Sequence, residues 1–142
     1  MKINFKSLLK AGLVAGIVII LSAISMVPVV GNEMDTVLES KGLPPLSVPD
    51  MIYFCTISLI FGFSLVTLYV IVKEQFRPGI KTALIVSVIF WFLIYFISNV
   101  SNVVYGFMPV RLTVIGTIWG LGESLLAGIA GASLYRDRPL IT

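Results

Sequence analysis

The chain has 142 residues, 58% hydrophobic and 12% charged, with a mean hydropathy of +1.05, whereas soluble domains carry about 25% charged residues. This balance excludes a sizeable soluble domain, and a net charge of +3 with basic residues gathered at the ends of apolar runs argues against nucleic-acid binding. One cysteine and no histidine exclude an intrachain disulfide, histidine-ligated haem or zinc, and histidine-based catalysis.

The first apolar run, about residues 9–30, follows Lys2, Lys6 and Lys10. A basic start before an apolar run also fits a signal peptide, with Ser22-Ala23-Ile24-Ser25 offering small residues for cleavage. Continuation of the run through Val30 favours a retained membrane span. Gly12 and Gly16 form a G-x-x-x-G, a helix-packing signal that is weak on its own. Pro28 marks an expected fray or kink.

Residues 31–49 read as an extracytoplasmic loop. Asn32 is placed to cap a short amphipathic helix that Gly42 ends, and Pro44, Pro45 and Pro49 favour an extended return to the bilayer. The second span covers about 51–72, with Cys55 read as an apolar packing residue. Lys73, Arg77 and Lys81 surround the Pro78-Gly79 turn and are expected to meet lipid headgroups.

The third span covers about 82–105. Trp91, Tyr95, Ser98, Asn102 and Tyr105 recur at steps of four and three, which places them on one stripe, with Asn99 beside it. Amides inside a membrane helix need partners, because bare polar groups are unfavourable in hydrocarbon.

The fourth span, about 111–135, carries a lone carboxyl, Glu123, near its middle. Gly116, Gly120, Ser124, Gly128 and Ala132 follow one another every four residues and form a ridge of small side chains. The expected complement of this ridge is Gly12 with Gly16. At ~1.5 Å per residue, Glu123 lies ~18 Å below Arg111 and Tyr95 lies ~15 Å below Tyr105. The two therefore share a depth on neighbouring antiparallel helices. The Tyr95 hydroxyl is the expected partner of Glu123, with Asn99 as second candidate. An isolated charge in hydrocarbon is costly, so the structural reading of Glu123 is a neutral group tying two helices. The functional reading is a proton- or cation-coupled site.

The fold expected is all-α: one membrane domain, residues 1–142, built as a four-transmembrane-helix bundle with both termini cytoplasmic. That orientation puts Lys2, Lys6, Lys10, Lys73, Arg77, Lys81, Arg136 and Arg138 inside and leaves Lys41 and Arg111 outside. No nucleophile–base pair, metal-ligand set or cofactor motif is visible, so no enzyme activity, metal or cofactor is expected. The expected partners are membrane lipids and either further copies of the chain or a larger membrane complex.

Three stretches are similar to a group of small, uncharacterised bacterial four-span integral membrane proteins: Leu8–Val18, Lys81–Phe96, and the fourth span with its Trp119, Gly120, Glu123 run and closing Leu134-Tyr135-Arg136. The resemblance implies the bacterial inner membrane and no particular activity. Members of the group often carry polar or acidic residues in the outer half of the first span. Here that half holds only Ser22 and Ser25 as polar residues.

Overall fold

The computed structural model describes residues 3–137. Lys2 and Arg138, counted above among the basic residues, lie outside them. Four helical spans run up and down: α1, Phe5–Ser40; α2, Val48–Phe76; a third span of α3, Ile80–Trp91, a π-helical turn, Phe92–Phe96, and α4, Ile97–Val104; and α5, Val110–Leu134. Each of the four spans is long and apolar enough to cross a bilayer. The described residues contain no strand.

The expected loop begins later than the sequence suggests. No break occurs at Asn32, and α1 continues for 36 residues, ~54 Å, well beyond a hydrocarbon core of ~30 Å. Pro28 sits inside this helix, where membrane helices tolerate it because neighbouring groups meet the freed carbonyl. The outer turns hold because they have neighbours. Glu33 pairs with Arg111 at the head of α5. The Lys41 ammonium donates to the Gly106 carbonyl at 3.3 Å and lies 5.9 Å from the Phe107 ring centre. Gly42, at φ +67°, takes the chain out of the helix. Ser47 then opens α2, its amide and hydroxyl both donating to Asp50 Oδ2 at 2.8 and 2.6 Å.

Packing is uneven along the bundle. Ala11, Ala15, Leu65, Val66, Tyr69, Val70, Ala83, Val86, Phe90 and Ala127 form one buried cluster in the half that holds the chain ends. At the other half, the π turn and α4 bury no residue, and α2 is exposed from Val48 to Thr56. Cys55 lies on that exposed stretch, so the expectation of a packing role is corrected.

The expected complement of the small-residue ridge is also corrected. Gly12 and Gly16 meet α2, not α5. A Cβ on Gly12 would lie 2.7 Å from Phe63 Cε1, and one on Gly16 would lie 2.8 Å from Leu59 Cα. The reason is Gly62, opposite both: a Cβ there would stand 2.5 Å from Gly16 Cα and 2.7 Å from Gly12 O. Three glycines thus let the α1 and α2 backbones touch. The ridge of α5 packs on the third span instead, Gly120 beneath Tyr95 and Gly128 beside Ser87. Helix α1 reaches α5 through Ala11 and Ala15 against Gly131.

A strap joins the chain ends. The Asn4 amide donates to the Tyr135 hydroxyl at 3.3 Å, its side chain to Arg136 O at 3.1 Å, and the Arg136 amide to Ser7 Oγ at 2.6 Å. Lys73 is 6% exposed. Its ammonium pairs with Asp137 and sits 4.4 Å from the Tyr135 ring centre. This corrects the headgroup expectation for Lys73, whereas Arg77 and Lys81 are exposed. Replacing Lys73 by methionine keeps the apolar stem and removes the charge. The expected result is faster tryptic cleavage after Arg136 in detergent, with the spans intact. An unchanged cleavage rate would show that the strap holds without the lysine.

Candidate functional site

The third span presents its polar side chains through a change of helical pitch. In an α-helix, four residues overshoot one turn by ~40°, so Trp91, Tyr95 and Asn99 would fan apart. The π turn over Phe92–Phe96 takes more residues per turn and cancels that drift. All three side chains then reach α5. Trp91 Nε1 donates to Thr117 O at 2.8 Å, the Tyr95 hydroxyl donates to Glu123 Oε1, and Asn99 Nδ2 donates to Thr117 Oγ1 at 3.0 Å. The stripe expected from steps of four and three is corrected accordingly. Ser98 and Tyr105 are exposed, and Asn99 takes the inward position.

Glu123 is 6% exposed. It stands where α1, the third span and α5 meet. The Tyr95 hydroxyl donates to its carboxyl, and one turn earlier on α5 Trp119 binds Ser22 of α1. The Tyr95 ring is held by Gly120, whose missing Cβ would lie 2.5 Å from Tyr95 Cδ1, and by the edge of Phe61, with ring centres 6.2 Å apart.

The polar residues named from sequence separate into two groups. Tyr95 and Glu123 meet as the depth argument expects. Asn99 lies one turn away on Thr117, not on Glu123. Asn102 is half-buried, and its side chain has no hydrogen-bond partner among the described residues; its backbone carbonyl accepts from the Phe107 and Met108 amides at 2.8 and 3.3 Å. Of the packing residues, Gly116 lies near Asn99, at 3.9 Å from a built Cβ to Nδ2. Ser124 is 1% exposed, and its hydroxyl has no partner among the described residues.

The structure adds Ser22, Ser25, Thr117 and Trp119 to the site. Trp119 precedes Glu123 by four residues and so shares its face. Its indole N–H donates to Ser22 Oγ at 3.0 Å and to Ser22 O at 3.3 Å. The Ser25 hydroxyl donates to the same Ser22 carbonyl at 2.7 Å. The depth of Ser22 in the first span was the available signal, but hydroxyls in membrane helices ordinarily bond to their own backbone and carry no weight alone.

Two clefts flank the site. One, of about 300 Å³, lies between α4 and α5 and is lined by Phe96, Val100, Val104, Val114 and Thr117. The other, of about 570 Å³, lies between α1 and α5, and Glu123 forms part of its wall. Among the described residues, no group of three or more histidine, cysteine, aspartate or glutamate side chains is placed to hold a metal ion. Comparison with known proteins finds no family model, no curated protein and no solved structure that matches the chain.

Proposed function

We propose that this chain is a non-enzymatic multi-pass protein of the bacterial inner (cytoplasmic) membrane that acts through helix–helix contacts, as an accessory or structural subunit of a homo-oligomer or larger membrane complex. The observation that carries this reading is the use made of Glu123. Its carboxyl ties α5 to the third span through Tyr95, and Trp119, one turn earlier, ties α5 to α1 through Ser22. A polar group at mid-bilayer that links helices acts as interhelical glue. The orientation follows from the basic residues. Lys6, Lys10, Lys73, Arg77, Lys81 and Arg136 belong to the end that holds the termini, and Lys41 and Arg111 to the other. By the positive-inside tendency, the termini are cytoplasmic. The resemblance of three stretches to bacterial four-span proteins supports the choice of membrane.

Extraction in a mild detergent tests the reading. The expected particle exceeds one 15.5 kDa chain by further copies or other membrane proteins, and Glu123→Gln preserves it. A single chain surrounded by detergent alone would overturn the proposal.

A second reading is a small proton- or cation-coupled transporter or channel using Glu123. The cleft between α1 and α5 favours it, because Glu123 forms part of its wall. Flux into liposomes decides between the two. No flux in the parent protein opposes this reading, and flux that survives Glu123→Gln removes Glu123 from it.

A further inference from the structure

The cleft between α1 and α5 has unusual polar chemistry for a surface that faces lipid. Its apolar walls are Val18, Leu21, Ile118 and Leu126. Its floor carries Ser22, Ser25, Trp119 and Glu123, and Gly122 leaves the entrance open, since a Cβ there meets nothing within 4 Å. Its volume of about 570 Å³ falls in the range of small-molecule pockets, ~300–1,000 Å³.

Three donors on or beside this floor are already engaged within the protein. Trp119 N–H binds Ser22, the Ser25 hydroxyl binds the Ser22 carbonyl, and the Tyr95 hydroxyl binds Glu123. What remains is mainly acceptor capacity. A carboxylate has about four lone-pair positions and each hydroxyl oxygen has two. A site with acceptors left over, an acidic group and an indole wall suits a head that is rich in donors and positively charged. Its apolar walls suit a hydrocarbon body.

We propose that this cleft is a binding site for a lipophilic amine, entered sideways from the bilayer, with the ammonium on Glu123 and Ser25 and the alkyl chain along Val18, Leu21, Ile118 and Leu126. The ammonium supplies three donors, matching the acceptors that the protein leaves open. The proposal concerns binding alone, with Glu123 ionised when the amine occupies the cleft.

The test uses the full chain in phosphatidylcholine nanodiscs. The sequence has two tryptophans, so Trp91→Phe leaves Trp119 as the reporter. Nitroxide-labelled dodecylamine is titrated against nitroxide-labelled dodecanol, and Trp119 quenching is read. The expected result is saturable quenching by the amine and only unsaturable, partition-driven quenching by the alcohol. Glu123→Gln weakens the amine's apparent affinity by at least about tenfold, the value of a charge-assisted hydrogen bond. Gly122→Leu fills the entrance without touching the acid, and it abolishes saturation in a protein that keeps its helical content. Should Glu123→Gln fail to fold, Gly122→Leu decides alone. Identical curves for amine and alcohol would overturn the proposal. So would saturable amine quenching that persists in Gly122→Leu.

Discussion

Gly62→Ala destabilises the bundle by about 1–3 kcal/mol, the usual cost of overpacking a filled interface, and Gly62→Val parts α1 from α2. The neighbours of a new Cβ at Gly62 are main-chain atoms, Gly16 Cα at 2.5 Å and Gly12 O at 2.7 Å. No rotamer change moves a backbone, so the helices themselves must separate. That separation also withdraws Ala11 and Ala15 from their buried places. The two glycines on α1 give a graded control. At Gly16 the new atom also meets backbone, Leu59 Cα at 2.8 Å, and the cost is comparable. At Gly12 it meets the ring of Phe63, which can turn aside, so Gly12→Ala costs less. Unfolding in bicelles measures all three. Equal stabilities for Gly62→Ala and Gly12→Ala would refute the backbone contact.

Glu123→Ala and Glu123→Gln separate sharply in stability. Glutamine keeps a carbonyl oxygen within reach of the Tyr95 hydroxyl and preserves the tie. Alanine leaves that hydroxyl without an acceptor among apolar neighbours, at a cost of about 1–3 kcal/mol. A double-mutant cycle with Tyr95→Phe isolates the pair. Its expected coupling is about 0.6 kcal/mol, with ~1.7 as the upper end seen for interhelical hydrogen bonds in membranes. Zero coupling would mean that Tyr95 and Glu123 contribute independently, and the central link between the third span and α5 would be lost.

Four apolar runs made the helical spans legible, because hydrocarbon thickness dictates their length. The meeting of Tyr95 with Glu123 was legible too, since rise per residue fixes depth on antiparallel helices. Other features were hidden for identifiable reasons. Asn32 is a competent helix cap, but contacts made far away in sequence, Glu33 with Arg111 and Lys41 with Gly106, keep α1 running through it. A constant helical period puts Trp91 through Tyr105 on one stripe, and the π turn breaks that period in the middle. The motif at Gly12 and Gly16 announces close approach without naming the helix approached. Gly62, which completes the crossing, is the one glycine of α2, and the Ser58 four residues before it makes only a weak small-x-x-x-small signal.

The uneven packing of the bundle has a mechanical consequence. Side chains interlock around Leu65, Val66 and Val86, whereas the π turn and α4 bury no residue and the first turns of α2 are exposed. A closely packed region resists compression, and a sparsely packed one yields. Changes in lateral pressure from lipid composition or curvature are therefore absorbed mostly at one leaflet. The stiffer end is the one closed by the strap that joins Asn4 to Tyr135 and Arg136.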